Sequence, residues 1–237
     1  MSLKEIVNSL LNPLNVQIKK YPDKHLGRRI RLIKHFNINK IFDIGASVGN
    51  YGKTLKKLGY DGTIISCEPI SSVYQKLNKN SKRYKNWIAQ NYALGDNDME
   101  TYINISGNSD SSSILNILPN HLNSSEGSKY VNKEKIQVKK LDTIFPEFYK
   151  PGDNIMIKID TQGFEKQVLD GGQLSLPNIK GIQIEMSFIP LYEGGILFSE
   201  MKSYLESKGY ELYSIETGFT DPKTGRLLQM DGIFFRP

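Results

Sequence analysis

Two acidic residues stand close to the ends of short apolar segments, each beside a turn. Asp43 lies in the segment 40–44, two residues before Gly45, and Glu68 follows the segment 63–67, 25 residues after Asp43. In an open α/β sheet, ligands bind beyond the carboxyl ends of the strands. A carboxylate that ends the second strand can accept hydrogen bonds from both hydroxyls of a ribose. Glu68 therefore predicts an adenosyl ligand.

The turn after Asp43 separates two classes of adenosyl ligand. It reads Gly-Ala-Ser-Val-Gly-Asn over residues 45–50, whereas a dinucleotide oxidoreductase carries G-x-G-x-x-G there, with a pyrophosphate on the next helix. Ser47 and Asn50 replace the second and third glycines. The carboxylate of Asp43 disfavours a pyrophosphate and suits the ammonium of a methionine moiety. The turn therefore favours S-adenosylmethionine over NAD, and the alternative is that its glycines serve only the turn.

Polar residues also interrupt two later apolar segments. Side chains alternate across a strand, so Lys158 and Asp160 share one face of the segment 155–160, and Gln183 and Glu185 share one face of 182–186. Burying such charges is costly unless they are paired. If the two strands are neighbours, these side chains converge at one carboxyl edge, where a carboxylate can accept the proton of an attacking hydroxyl.

Two other interpretations of this polar group stay open. Lys158 can form an ion pair with Asp160 or Glu185 that only satisfies its own charges. Asp160 and Glu185 are also oxygen ligands of the kind that divalent cations prefer, so a divalent metal is not excluded. Because the sequence offers no obvious third ligand, we predict no metal site.

Short strand-like segments alternate with helix-like segments from residue 40 onwards. Such alternation predicts a mostly parallel sheet with helices on both faces, and the last two segments predict an antiparallel hairpin at the edge. The predicted strands are 40–44, 63–67, 87–94, 100–105, 155–160, 182–186, 211–217 and 232–235. We expect a helical extension at 1–39 and one domain at 40–237.

Five motifs in this order resemble the FkbM family of methyltransferases over residues 40–236. They are DIGASVGNYG at 43–52, CEP at 67–69, NYALGD at 91–96, SSS at 111–113 and KIDTQGFE at 158–165, the last being the most specific. The resemblance implies a class I (Rossmann-like) methyltransferase fold with a seven-stranded sheet. It also implies S-adenosylmethionine as methyl donor and O-methylation of a hydroxyl on a sugar, glycan or natural-product acceptor.

The turn, the strand ends and the resemblance together assign the site residues. The predicted cofactor site comprises Asp43, Gly45, Ala46, Ser47, Gly49, Asn50, Tyr51, Glu68, Pro69, Asn91, Ala93, Leu94, Ser112 and Ser113. The predicted catalytic residues are Asp160, Lys158, Glu185 and Glu165. The family often has Val-Glu where this chain has Thr161 and Gln162, which shifts the assignment of the base towards Asp160 and Glu165.

The charge distribution leaves one alternative function open. The chain has a formal net charge of +6, and many basic residues lie in one N-terminal stretch: Lys19, Lys20, Lys24, Arg28, Arg29, Arg31 and Lys34. Apolar residues at helical spacing between them predict an amphipathic helix with a basic, solvated outer face. The same face could instead contact phosphate groups of a nucleic acid or of lipids. The alternative function is therefore an RNA ribose 2′-O-methyltransferase, and a nicotinamide oxidoreductase or a non-catalytic cofactor-binding module are further alternatives.

Features outside the five motifs predict the cellular compartment of the protein and the location of the acceptor pocket. The single cysteine, Cys67, excludes an intrachain disulfide, and no signal peptide or membrane-spanning segment is predicted, so we expect a cytoplasmic protein. The Ser- and Asn-rich segment 106–130 and the segment 192–195 are expected to shape the acceptor pocket. His121, in the first of them, is expected to be a surface residue rather than a base.

Overall fold

The computed structural model describes residues 3–18 and 21–237. Lys19 and Lys20 of the predicted basic stretch lie outside these residues. The strands are β1 Lys40–Ile44, β2 Thr63–Cys67, β3 Trp87–Gln90, β4 Ala93–Gly95, β5 Met99–Ser106, β6 Tyr130–Lys140, β7 Ile155–Ile159, β8 Ile179–Ser187, β9 Glu211–Thr217 and β10 Gln229–Phe235. The α-helices are α1 Leu3–Leu11, α2 Lys24–His35, α3 Asn50–Lys57, α4 Ser71–Ser81, α5 Pro119–Ser124, α6 Leu141–Phe148, α7 Glu165–Asp170 and α8 Phe198–Ser207.

Seven of the strands form one sheet in the order β3-β2-β1-β7-β8-β10-β9. The first five are parallel, and β10 runs antiparallel to both of its neighbours. The prediction of a mostly parallel seven-stranded sheet is confirmed. The predicted hairpin lies at the edge, but its antiparallel strand β10 is the inner one and β9 is the edge strand. The strand order reverses between β1 and β7, which creates a crevice at their carboxyl ends.

Alternate side chains of the central strands enter two separate hydrophobic cores. On one face, Phe42, Ile44 and Ile157 pack with residues of α6, α7 and α8. On the other face, Ile41 and Met156 pack with residues of α2 and α3. Apolar side chains lie on both faces of these strands because helices cover the sheet on both sides, as predicted.

The predicted third strand at 87–94 is wrong in its extent. β3 ends at Gln90, and β4 belongs to a second sheet with the order β4-β6-β5. Between them, the Asn91 side chain donates hydrogen bonds to the carbonyl oxygens of Glu68 and Pro69, both at 2.9 Å, and turns the chain away from the main sheet. β6 has no counterpart among the predicted strands, because most of its residues are polar and only two of its apolar side chains are buried.

Helix α2 packs against the main sheet rather than standing apart from it. Ile33 is buried in the core beneath it, the Arg28 guanidinium donates to Ser214 Oγ at 3.1 Å, and Arg29 forms an ion pair with Glu216. The expectation of a solvated basic face is therefore wrong for Arg29, which is partly buried, whereas Arg28 stays exposed. The division at residue 39 stays a prediction. None of the helices in residues 3–18 and 21–237 has the length and apolar character needed to cross a membrane.

Candidate functional site

A cavity of about 300 Å³ opens at the carboxyl edge of the main sheet, at the switch point between β1 and β7. This volume is within the range of small-molecule sites. Its apolar wall includes Ile44, Ile70, Val73, Leu94, Ile103 and Phe164. Its polar groups include Ser47, Glu68, Ser112, Asp160, Gln162 and Glu185. The cavity therefore combines an apolar wall with carboxylates from β2, β7 and β8.

The turn after β1 brings the backbone close to the strand β7. Gly45 has φ of 75°, and a Cβ atom there would lie 1.9 Å from the carbonyl oxygen of Asp160. Only glycine fits this position, since the space for a side chain is filled by backbone. Gly49, with φ of 83°, precedes the first residue of α3. The glycines therefore serve both the turn and the close approach of β1 to β7.

Glu68 lies at the end of β2 and lines the cavity. Its Oε2 accepts a hydrogen bond from the Ser47 backbone N–H at 3.0 Å, and its Oε1 accepts one from the Ile70 N–H at 2.9 Å. The side chain is 6% exposed, and this burial raises the pKa of the carboxyl to about 7. The two backbone donors hold the carboxylate in one orientation beside the cavity.

Asp43 lies beneath the cavity instead of lining it. Its side chain is fully buried, its Oδ2 accepts a hydrogen bond from Ser66 Oγ at 3.1 Å, and the Lys158 ammonium is 3.7 Å from its Oδ1. Burial raises the pKa of the Asp43 carboxyl. The structure thus differs from the prediction that Asp43 itself faces the ammonium of a methionine moiety, because the ammonium beside it belongs to Lys158.

Asp160 and Glu185 are brought together at the cavity as predicted. β7 and β8 are neighbouring parallel strands in which Lys158 pairs with Gln183. The side-chain amide Nε2 of Gln162 donates to Asp160 Oδ1 at 2.8 Å and to Glu185 Oε2 at 2.9 Å. Both amide hydrogens therefore bridge the two carboxylates, an arrangement that we call the acid pair.

The role of Gln162 was not predicted from the sequence. The residue was interpreted only as a replacement of the glutamate that the family often has at this position. The Gln162 amide oxygen accepts a hydrogen bond from the Tyr192 hydroxyl at 2.7 Å, and its backbone carbonyl accepts one from Ser113 Oγ at 2.7 Å. Its φ of 55° and that of Gly163, 96°, form the turn that aims the amide at the acid pair. The available signal was its place in the KIDTQGFE motif.

Charges around the acid pair differ in sign and in exposure. The Lys158 ammonium lies 3.1 Å from Asp160 Oδ2, and although burial disfavours the charged ammonium, the carboxylates of Asp160 and Asp43 raise the pKa of Lys158 above its ordinary value. Lys158 is therefore a permanent cation here. Burial, together with the negative charge of Asp160, raises the pKa of Glu185 well above its ordinary value. Glu185 therefore holds its proton more tightly than an ordinary glutamate does.

Glu165, the fourth predicted catalytic residue, lies outside the cavity lining. Its Oε1 accepts hydrogen bonds from the backbone N–H groups of Thr161 at 2.9 Å and Gly163 at 3.1 Å. Burial raises the pKa of its carboxyl to about 7. The contacts of Glu165 hold the turn that carries Gln162 in place.

The predicted cofactor residues divide into two groups. Those that line the cavity are Gly45, Ser47, Glu68, Pro69, Ala93, Leu94 and Ser112. Those outside the lining are Asp43, Ala46, Gly49, Asn50, Tyr51, Asn91 and Ser113. Asn91 of the second group fixes two residues of the first, because its side chain donates to the carbonyl oxygens of Glu68 and Pro69. Tyr51 instead donates to Gln183 Oε1 at 3.1 Å.

The expectation that His121 is a surface residue is wrong. Its side chain is buried, its ring centroid lies 5.1 Å from that of Tyr192, and its Nε2 is 3.4 Å from Ser111 Oγ. Burial lowers the pKa of His121 to about 4, so the ring is neutral near pH 7. His121 packs the loop 106–130 against Tyr192, which in turn contacts Gln162.

The described part of the chain, residues 3–18 and 21–237, contains no group of three or more His, Cys, Asp or Glu side chains placed to hold a metal ion. Asp160 and Glu185 alone would offer two carboxylate ligands at the cavity. Hard divalent cations take six or more oxygen ligands in proteins, several of which can be water.

Comparison with known proteins gives a family and a fold. A family model for the methyltransferase FkbM domain matches residues 43–212. The chain resembles the structure of an uncharacterised protein from Listeria monocytogenes serotype 4b, with 11% identity, a TM-score of 0.52, and coverage of 91% of this chain and 68% of that one. It also resembles a candidate S-adenosylmethionine-dependent methyltransferase from Listeria monocytogenes, with 8% identity, a TM-score of 0.50, and coverage of 90% and 98%. At such identities the structural likeness concerns the fold alone. The sequence matches no curated protein.

Proposed function

Because the chain belongs to the FkbM methyltransferase family, we propose that it methylates a hydroxyl group of a sugar, glycan or natural-product acceptor with S-adenosylmethionine as donor. The family supports a methyltransferase that depends on S-adenosylmethionine. That the acceptor atom is the oxygen of a hydroxyl group is the more specific part of the proposal. It rests on the chemistry of the acid pair and on the resemblance of the motifs.

The lining of the cavity offers groups that an adenosylated methionine can contact. Glu68 carries two carboxylate oxygens that can accept hydrogen bonds from ribose hydroxyls, and its backbone contacts keep them in place. Ala93 and Leu94 would contact the adenine, and the backbone of Gly45 and Ser47 would contact the methionine moiety. A predominantly apolar pocket with a few fixed polar groups is typical of small-molecule sites.

The acid pair can take the proton that an attacking hydroxyl must lose. Bound S-adenosylmethionine supplies an electrophilic methyl carbon at its sulfonium. We assign proton acceptance to Glu185, since it lines the cavity beside Asp160 and its raised pKa makes it a stronger proton acceptor than an ordinary glutamate. Asp160, fixed by Lys158 and Gln162, would accept a hydrogen bond from the acceptor and orient it.

One observation carries this proposal: Glu68 and the acid pair line the same cavity, in a chain of a methyltransferase family. A nucleoside held at Glu68 can extend along the cavity towards Asp160 and Glu185. This arrangement gives the pocket a cofactor end and a reaction end. The exposed part of Asp160, whose side chain is 33% accessible, leaves room for an acceptor beside it.

The test is release of S-adenosylhomocysteine from S-adenosylmethionine in the presence of hydroxylated acceptors. We expect turnover with at least one glycoside or hydroxylated natural product, and mass spectrometry of the product should place the methyl group on oxygen. Asp160→Asn should reduce turnover more than cofactor binding. An unchanged rate would remove Asp160 from the reaction, and methylation of nitrogen or carbon would contradict O-methylation.

The RNA ribose alternative depends on the basic face of α2. Arg29 of that face pairs with Glu216 of β9, so the basic residues of α2 left exposed are Lys24, Arg28, Arg31 and Lys34. This smaller surface supports the alternative less than the sequence did. Methylated ribose after incubation with RNA, with affinity that falls steeply with salt, would favour it over a glycan acceptor.

A further inference from the structure

The net positive charge of the chain is confined to its beginning. Residues 1–35 contain eight Lys or Arg and two Asp or Glu, which accounts for the whole formal net charge of +6. The remaining residues, 36–237, contain 23 basic and 23 acidic side chains and are neutral as a group. The N-terminal segment, residues 3–35, is therefore a separate basic region on an otherwise balanced protein.

The same segment carries much of the exposed apolar surface. Of the fourteen large apolar side chains that are exposed within the described residues, six lie before residue 22: Ile6, Leu10, Leu14, Val16, Ile18 and Tyr21. Leu10 and Leu14 are 73% and 70% exposed. Contiguous exposed apolar residues on a protein surface usually mark an interaction site.

Five of these apolar side chains, all except Tyr21, lie between Ile6 and Ile18, where hydrogen bonds of one side chain join the two ends of the segment. Helix α1 is followed by a short 3₁₀ helix, Asn12–Leu14, after which the chain returns to α1 at Ile18. The Ile18 backbone N–H donates to the Asn8 side chain at 2.6 Å, and Asn8 Nδ2 donates back to the Ile18 carbonyl at 3.1 Å. The exposed apolar groups of α1 and of the returning stretch are thereby held on one unit.

The position of α2 links this segment to the candidate active site. Arg29 of α2 pairs with Glu216 of β9. Across the sheet, Glu216 is in register with Asp231, and Asp231 with Glu185, which lines the cavity. The first half of α2 therefore lies at the carboxyl edge of the sheet, at the same end of the molecule as the cavity.

We propose that the N-terminal segment binds the protein peripherally to a membrane surface that contains anionic lipids. Apolar side chains on α1 enter the interface between headgroups and acyl chains, while basic side chains such as Lys24 and Arg31 contact the lipid phosphates. A net charge of +6 on the segment opposes its pairing with a second copy. A nucleic acid would leave the apolar side chains uncovered. Binding in this way brings the cavity end of the protein towards the bilayer.

The test is flotation of the full-length protein with lipid vesicles. It uses vesicles of phosphatidylcholine alone and of phosphatidylcholine mixed with phosphatidylglycerol, at low and high salt. We expect binding to the mixed vesicles only, weakened at high salt. Leu10→Asp with Leu14→Asp should reduce the bound fraction at least about tenfold, and Lys24→Glu with Arg31→Glu should do so at low salt.

Matched variants separate a specific surface from general effects. Leu174→Asp removes an exposed apolar side chain elsewhere, and Arg83→Glu with Lys85→Glu reverses two exposed charges elsewhere. Both should bind like the unmodified protein, and thermal unfolding should show that every variant folds. Three results would overturn the proposal: no binding to the mixed vesicles, equal loss in the control variants, or a dimer in light scattering that Leu10→Asp with Leu14→Asp dissociates. Loss of methyl transfer is not a readout here, so the result is independent of the proposed function.

Discussion

At the scale of single residues, Glu68 is a buried carboxyl whose charge state decides what it can bind. Two backbone N–H groups orient its oxygens, while burial raises its pKa to about 7. The ionised form can accept from two ribose hydroxyls, whereas the protonated form loses part of this capacity. A group that titrates near neutral pH therefore lies at the proposed cofactor end of the cavity.

Replacement of Glu68 tests this assignment directly. Glu68→Gln should weaken binding of S-adenosylhomocysteine by about tenfold to a hundredfold, because one charged hydrogen-bond acceptor is lost. In the unmodified protein, affinity should also fall by about tenfold between pH 8 and pH 6, as the carboxyl gains a proton. Calorimetric titration measures both. The control Glu147→Gln, at an exposed glutamate, should leave affinity unchanged. Unaltered affinity in Glu68→Gln would remove this residue from the site.

Gln162 shows how an amide can hold two carboxylates together. Gln162→Glu would put a third carboxylate against Asp160 and Glu185, both of which now accept from the Gln162 amide. Repulsion should raise the pKa of Glu185 further, so the pH at which turnover reaches half its maximum should move upward, and turnover near pH 7 should fall about tenfold or more. A pH–rate profile that coincides with that of the unmodified enzyme would show that Gln162 has no such role.

Some residues of the candidate site could be predicted from the sequence, and others could not. Glu68, Asp160 and Glu185 were found because acids at strand ends are unusual and parallel strands bring them to one edge. The Gln162 bridge, its Tyr192 contact and the burial of His121 depend on how the loop 106–130 packs. The pattern of apolar and polar residues in a segment does not show how a loop packs, so these features could not be predicted.

At the scale of elements, the turn between β1 and α3 is fixed by the close approach of its backbone to the backbone that follows β7. Gly45 and Gly59 both have positive φ, 75° and 85°, but only at Gly45 would a Cβ atom meet the Asp160 carbonyl, since Gly59 has open space around it. Comparing Gly45 with Gly59 therefore separates two contributions to stability: the cost of a side chain at positive φ and the cost of a steric clash with the backbone.

Alanine at these two glycines should give unequal losses of stability. Gly59→Ala should lower the free energy of unfolding by about 1 kcal/mol, the cost of an L residue at positive φ. Gly45→Ala should lower it by about 3 kcal/mol or more, because β1 and β7 must also separate. Urea denaturation measures both values. Equal losses would mean that the approach of the two strands is not fixed by Gly45.

The strands were predicted correctly where a segment is apolar. They were predicted wrongly or not at all where tertiary contacts determine the extent of a strand. The central strands were found because burial on both faces makes them continuously apolar. The break between β3 and β4 depends on the Asn91 side chain, and β6 is mostly polar because it lies in a small sheet with much of its surface in water. Both features follow from tertiary contacts rather than from local pattern.

At the scale of the whole molecule, buried carboxyls make stability depend on pH in an unusual direction. Glu68 and Glu165 have pKa values of about 7 in the folded protein against an ordinary value of 4.5, so the folded state binds their protons more tightly. Their stabilising protonation is complete below pH 4.5 and is lost as pH rises through 7. His121, with a pKa lowered to about 4, acts in the opposite sense below pH 6.5.

Stability should therefore rise when the pH is lowered from 7.5 to 6. Two glutamates gain protons in this window and one histidine opposes them only near its lower end, so the expected gain is about 1–2 kcal/mol. Urea denaturation at the two pH values measures it, and Glu68→Gln with Glu165→Gln should flatten the dependence. A fall in stability over this interval would contradict the raised pKa values.

The overall architecture was the most predictable level. Alternating elements from residue 40 onwards predicted the mostly parallel sheet, and the family resemblance of the motifs predicted its seven strands. The second sheet and the packing of α2 were not predicted, because they depend on side chains such as Arg29 that find partners far away in sequence. The domain division at residue 39 and the cytoplasmic location stay predictions.

The most direct test of this account is a crystal structure of the protein with S-adenosylhomocysteine. We predict that the ribose hydroxyls lie within hydrogen-bond distance of the Glu68 carboxylate, with the sulfur turned towards Asp160 and Glu185. A nucleoside bound elsewhere, or a sulfur that faces away from these two carboxylates, would contradict the assignment of the cavity to cofactor and acceptor.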